Sequence, residues 1–327
     1  MFWKHCALFK EQYALAFRTE HEVRRITYEK IQELSGQVAS GLLYTGLSPG
    51  DRIAICGRAG PEWVIAYWAI QLTGCIDVAL DPEEKLERHR SVLALTECRA
   101  LFLGEENLRR PLQEAMPSMH LFDLSWSSGK SNLSDLCRLP ERKRKLPLRR
   151  LSADPASIVQ TRREEEGQNI VLTHSGILSN LARVAEAVPI TLKDRLLTLL
   201  PLWHTSGRAA LHLTFWTGST LAFPSTGVME DDLLSLRPTV VLGSVEHFRR
   251  LYYRLKEGYH NESSVSLFLR KVYFSWSKMV NQSSVFLETG RMALRSSSSP
   301  LHITETLLHA IFYVIGSLLR LPGDIFI

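Results

Sequence analysis

Ser157-Ile-Val-Gln-Thr-Arg-Arg-Glu-Glu-Glu-Gly-Gln-Asn-Ile-Val-Leu-Thr-His174 is the stretch on which the reading of this chain turns. Ala156–Thr161 and Asn169–Thr173 read as two short strands around a polar loop, and Thr173-His174 leads into a helical pattern. Such a frame suits phosphate when the loop residues are small, because backbone N–H groups can then converge on the anion. This loop carries Arg162, Arg163, Glu164, Glu165 and Glu166 instead. Three consecutive carboxylates oppose a phosphate. The frame points to one function, and the loop argues that this function is lost or altered. A metal-binding reading of Glu164–Glu166 is weaker than a solvated loop, since adjacent side chains on a short loop diverge.

On the N-terminal side the pattern is α/β. Tyr28, Ile31, Leu34, Val38 and Leu42 recur at three- and four-residue steps, so 27–46 reads as an amphipathic helix capped by Thr27 and stopped at Gly46. Arg52–Cys56, Ile76–Leu80, Arg99–Leu103 and His120–Leu124 are short apolar runs separated by helical patterns at 61–73, 83–95 and 105–115. Strands that are apolar throughout and alternate with helices imply a parallel sheet covered on both faces. On the C-terminal side, Ser175–Val188 reads as a helix. Arg195–Leu200, Ser219–Phe223 and Thr239–Leu242 read as strands, and Glu246–Lys256 as a helix. Residues 265–295 and 301–320 read as helices around Ser296–Pro300, with no strand beyond 258.

Of the 327 residues, 45% are hydrophobic and 22% charged, the balance of a globular chain with a core that needs no disulfide. Cys6, Cys56, Cys75, Cys98 and Cys137 form no C-x-x-C pair, so neither a metal site nor an oxidising compartment is indicated. The net charge of +5 is concentrated in Arg142-Lys-Arg-Lys145 and Arg149-Arg150, within a linker-like stretch. No aromatic interleaving accompanies that run, so it reads as a solvated connector and no nucleic-acid partner is expected. The longest apolar stretch, Leu307–Leu319, is about half of what crossing a bilayer requires. Membrane contact is expected to be peripheral at most, and the location cytoplasmic.

Several short segments then resemble one family. Thr27-Tyr28, Gly50-Asp51-Arg52-Ile-Ala-Ile55, Glu62-Trp63 and Gly74 follow the opening of the AMP-forming acyl-CoA synthetases. Asp154-Pro-Ala-Ser-Ile-Val159 and Leu172-Thr173-His174 are similar to the strands around that family's nucleotide loop. Leu200-Pro-Leu-Trp-His204 with Gly207 resembles its next motif, and Arg237-Pro-Thr239 the one after. The helical 265–320 suggests the long-chain fatty-acid branch. The resemblance implies an α/β chain corresponding to part of the large N-terminal region of the acyl-adenylate-forming fold. Two α/β subdomains with covered sheets would be followed by a helical C-terminal segment. The expected divisions are 1–125, a basic linker 126–153, 154–258 with the degenerate loop, and 259–327.

The family reaction joins a fatty acid to coenzyme A at the expense of ATP, with magnesium. ATP, Mg and CoA are therefore the implied cofactors and a fatty acid the implied partner. The resemblance places Thr161, Thr173 and His174 in the nucleotide-loop frame, and Trp203, His204 and Gly207 beside the acyl pocket. Each has a plain structural alternative: Thr173 as an N-cap, His204 and Trp203 as packing, Gly207 as a helix-start glycine. The loop departs from the family's Thr-Ser-Gly-Thr-Thr-Gly-x-Pro-Lys-Gly in all but Thr161, and its lysine has no heir. The Tyr-Gly-x-Thr-Glu segment is not found either. The expectation is a truncated relative, inactive by itself, with no catalytic or metal residue assigned. The missing half could come from another chain. A non-catalytic acyl- or partner-binding pseudoenzyme is the alternative.

Overall fold

The computed structural model describes residues 2–20, 22–127, 131–139, 151–160, 168–225, 229–250 and 314–315. The chain opens with α1 (Phe2–Leu8), which buries Phe2 and Cys6, and a hairpin of β1 (Tyr13–Arg18) and β2 (Val23–Thr27). Thr27 then caps α2 (Tyr28–Tyr44), its hydroxyl accepting from the Lys30 N–H. The stripe expected from the sequence is the buried one, with Tyr28, Ile31, Val38 and Leu42 inaccessible. β3 (Arg52–Cys56) leads to α3 (Pro61–Thr73), which starts at a proline and ends at Gly74 with φ +82°. α3 is buried on nearly every side, so it must lie inside the molecule rather than on it.

β4 (Ile76–Leu80), α4 (Leu86–Leu95), β5 (Cys98–Leu103), α5 (Glu106–Ala115) and β6 (His120–Asp123) follow as the sequence indicates. Within the linker-like stretch, Asn132 and Asp135 form a capping box that starts α6 (Leu133–Arg138). β7 (Pro155–Gln160) and β8 (Asn169–Thr173) are the two strands of the opening frame, and α7 (His174–Ala187) follows. β9 (Arg195–Thr198), α8 (Thr205–Thr217), β10 (Thr220–Phe223), α9 (Met229–Leu236) and β11 (Val240–Leu242) continue the alternation, and β12 is Val314–Ile315.

These strands form two six-stranded sheets, ordered β6-β5-β3-β4-β7-β8 and β12-β11-β9-β10-β1-β2. Within each, four or five strands are parallel and the edges β8, β2 and β12 antiparallel. One core cluster contains α3, Leu211 and Phe215 of α8, Ile53, Ile55 and Phe102 of the first sheet, and Leu15, Leu196 and Leu221 of the second. A helical layer is thus sandwiched between the sheets. The outer face of the first sheet is covered by α4 and α5 through Val92, Leu93, Leu108 and Leu112. The outer face of the second is covered by α9 through Leu233 and Leu236.

The structure corrects the sequence reading at several places. β1 and β2 were not anticipated, nor were α1, α6, α8 and α9. The covered-sheet expectation fails at β8, where Ile170 and Val171 are exposed, and α7 buries only Leu181 of its apolar side. The helix expected over 301–320 is contradicted at Val314–Ile315. This β-branched pair joins β11 as an antiparallel strand. The rest of that helical segment, the basic run 142–150 and the loop with Thr161 and Glu164–Glu166 lie outside the described residues.

Candidate functional site

β7 and β8 pair antiparallel, Gln160 against Asn169 at one end and Pro155 against Thr173 at the other. The strands therefore set Gln160 apart from Thr173 and His174 by their own length, roughly 15 Å; Thr161 lies outside the described residues. Thr173 caps α7, its hydroxyl accepting from the Gly176 N–H at 3.1 Å. His174 begins the helix, its N–H donating to the Asp154 carbonyl.

Trp203 and His204 lie beyond the C-terminal end of β9, the edge where parallel sheets usually hold ligands. His204 caps α8, with Nδ1 accepting from the Ser206 N–H at 3.2 Å, and Trp203 meets its ring edge-on at 5.9 Å. A Cβ on Gly207 would stand 2.1 Å from the Pro201 carbonyl oxygen. The close approach that requires glycine here is to the chain's own backbone. Alongside, Ser244 Oγ and His247 Nδ1 are 2.6 Å apart, and Ser244 caps the helical turn at 245–250. Burial lowers the His247 pKa, and Arg250 lowers it further.

α8 carries a polar stripe that the sequence reading missed: His204, Arg208 and His212, four residues apart on one face. Arg208 is 3% exposed and pairs at 2.7 Å with Asp77, which is fully buried in β4. Asp77 also accepts from Ser157 Oγ at 3.0 Å and from Gln71 Nε2 at 3.0 Å. Arg208 donates to Ser157 and to the Leu202 carbonyl, and stands over the Trp63 and Tyr67 rings at 5.6 and 5.4 Å. One turn on, His212 Nε2 is 2.7 Å from the Tyr67 hydroxyl.

The electrostatics of this seam are self-contained. Burial holds the His212 pKa down to about 3, aided by the nearby Arg208 and His174 charges, so the ring is neutral at pH 7. Burial raises the Asp77 pKa, opposed by Arg208, Ser157 and Gln71. The Arg208–Asp77 pair leaves no net charge to offer a ligand. It ties α8 to β4 and β7 through Asp77 and Ser157. Its sequence signal was Asp77 inside Ile76–Leu80, a carboxylate in an otherwise apolar strand.

The described residues include no cluster of metal-ligating side chains. At the ends of β3 and β5, a Cβ on Gly57 would meet Leu124 Cδ2 at 2.7 Å. No helix among the described residues is long and apolar enough to cross a membrane.

Comparison with known proteins gives one answer at several levels. Residues 2–158 match the family model described as AMP-binding enzyme. A chloroplastic long-chain-fatty-acid–acyl-carrier-protein ligase of Arabidopsis thaliana is 21% identical over 285 residues, covering 78% of this chain and 39% of that protein. Fatty acyl-CoA synthetase A of Dictyostelium discoideum is 25% identical, covering 80% and 41%. The peroxisomal long chain acyl-CoA synthetase 6 of Arabidopsis thaliana is 28% identical, covering 79% and 39%. This chain thus spans about two fifths of the length of the curated relatives it matches.

Among solved structures, apo MatB from Rhodopseudomonas palustris superposes with a TM-score of 0.67 at 22% identity, covering 77% of this chain and 50% of that one. The o-succinylbenzoate coenzyme A synthetase of Bacillus subtilis, in complex with AMP, superposes with a TM-score of 0.65 at 19% identity, covering 80% and 64%. Both likenesses concern the fold. Residues 2–158 thus match the AMP-binding enzyme family model, and the chain is similar in sequence to long-chain fatty-acid ligases and in fold to acyl-CoA ligases.

Proposed function

We propose that this chain carries the acyl-adenylate-forming scaffold of a long-chain fatty-acid–CoA ligase without performing the adenylation step by itself. The inherited reaction has two steps. A fatty-acid carboxylate oxygen attacks the α-phosphorus of ATP and diphosphate leaves. The coenzyme A thiol then attacks the acyl carbonyl and releases AMP. The first step concentrates negative charge at the phosphates, so it depends on positioned donors and cations.

The observation that carries the reading is the composition of 162–168. In the sequence these residues connect β7 and β8, the two strands of the opening frame. Arg162 and Arg163 supply charge but not close backbone approach, and Glu164–Glu166 oppose the triphosphate. The named relatives activate fatty acids, and the Bacillus subtilis enzyme has been solved with ATP and magnesium as well as with AMP. Those properties support nucleotide and fatty acid as the ligand classes to test here. The residues of this loop do not fit a triphosphate, and no step is routed through them.

The test is AMP release from purified full chain supplied with ATP, magnesium, coenzyme A and palmitate. No AMP above background is expected; clear turnover overturns the proposal. A companion chain, with 162–168 replaced by small hydroxyl residues, glycines and one lysine, isolates the loop. Gain of ATP binding by that chain alone assigns the defect to the three carboxylates.

A second reading, a non-catalytic acyl-binding or partner-binding module, is favoured by the well-packed helical layer that this chain keeps. Saturable displacement of a fluorescent fatty acid supports it, and absence of displacement removes it.

A further inference from the structure

The adenylation reading rests on the stretch that connects β7 and β8 of the first sheet, and Trp203 and His204 lie at the edge of the second sheet where β9 ends. The opposite edge, where the parallel strands begin, has a surface character of its own. Thr220 opens β10 there, its hydroxyl donating to the Tyr13 carbonyl at 2.8 Å and its N–H to the Asp194 carbonyl at 3.0 Å. Thr239 donates from its N–H to the Arg195 carbonyl, and Arg195 Nε donates to the Arg237 carbonyl at 2.7 Å. The Arg25 guanidinium lies over the Tyr13 ring at 5.8 Å. α8 ends at the same edge. Trp216 stacks on His5 of α1 at 5.1 Å, and Gly218 packs on Phe9.

Leu8, Tyr13, Leu192 and Trp216, all at this edge, are 67%, 50%, 49% and 41% exposed. Single exposed apolar residues need no explanation, but these four share one edge with a concentration of cations. Arg25, Arg237 and Asp194 lie near Arg195, and Lys193 precedes Asp194 in the chain. The Asp194 oxygens already accept from Thr239 and Thr191. Lys10, farther along, sits beside Glu11 at 3.6 Å. Burial lowers the Arg195 pKa, Arg25 and Arg237 lower it further and Asp194 opposes them, so several cationic side chains stand together at this edge.

We propose that this edge docks the protein on an anionic lipid bilayer. Leu8, Tyr13, Leu192 and Trp216 seat at the interface, and Arg25, Lys193, Arg195 and Arg237 lie against the phosphate and carboxylate head groups. Tryptophan, tyrosine and leucine beside arginine and lysine form the amphipathic combination that interfaces select. A nucleic-acid backbone would use the cations but leave Leu8 and Leu192 with nothing to cover them. The proposal is independent of the adenylation reading, because it uses none of the residues at the other edge.

The test is flotation of the full chain with phosphatidylcholine vesicles, with and without phosphatidylserine, at low and high salt. Binding that requires phosphatidylserine and falls with salt is expected. The double substitution Arg25→Glu with Lys193→Glu should weaken it by roughly tenfold or more. Tryptophan fluorescence quenched by brominated lipid in the parent chain should be diminished in Trp216→Phe, a conservative change that keeps the fold. Absence of vesicle binding overturns the proposal. So does binding unaltered by these substitutions, which would place the contact at Leu307–Leu319. Binding to heparin but not to vesicles overturns it in favour of a soluble polyanion.

Discussion

Asp77 shows how a single side chain can be visible in a sequence without its meaning being legible. A carboxylate between Ile76 and Val78 in an apolar strand has to be paired, because an unpaired buried charge is costly. Its partner, Arg208, lies 131 positions away, and no local pattern links them. The pair gives a sharp expectation. Arg208→Ala should cost about 3–5 kcal/mol by leaving Asp77 buried and uncompensated. Arg208→Met combined with Asp77→Leu should cost much less than the two single changes together. Chemical denaturation of the four chains checks this. Additive losses would mean that the two residues do not act as a unit. Thr173 was legible as an N-cap and is one, whereas His204 reads as packing from the sequence and caps a helix the sequence does not announce.

Helices and strands differed in how well the sequence announced them, for physical reasons. α2 and α3 carry their own stop and start signals and either a stripe or continuous burial, so 27–46 and 61–73 could be read directly. β1 and β2 give no such local notice, because what stabilises them is β10, and Leu15 pairs with Leu221. α8 was hidden by Thr205-Ser-Gly207, which reads as a turn when nothing shows that Gly207 is there to let the helix rest on Pro201. That contact yields an expectation for the element. Gly207→Ala places a methyl where the Pro201 carbonyl lies, so α8 must shift. The loss should be about 1–3 kcal/mol, read as a lower melting temperature. Unchanged stability would show that the β9–α8 connection yields freely. The loop at 162–168 was legible only as chemistry: its charges are plain in the sequence.

For the molecule as a whole, the chain order does not follow the layer order. β1 and β2 come first, yet they belong to the sheet built by β9, β10 and β11, while β3 to β8 form the other sheet in between. A chain ended at Gln160 would keep the strands of the first sheet except β8, but would leave β1 without β10 and α3 without α8. Such a chain should expose the apolar side of α3, bind a hydrophobic dye and show no cooperative melt. A sharp transition matching the full chain would show that the first sheet and its helices stand alone.

The pairing of Leu15 with Leu221 also sets an order of events during synthesis. The ribosome must deliver nearly two hundred residues after the first hairpin before its partner strand exists. Until then Leu15 and its neighbours present an open strand edge to everything in the cell. A topology closed by so distant a contact folds slowly, because a long loop must be drawn shut before the contact can form. Early chaperone engagement of the nascent N-terminus, released only after β10 emerges, is the expected cellular counterpart of a sheet whose first strand waits for the ninth strand after it.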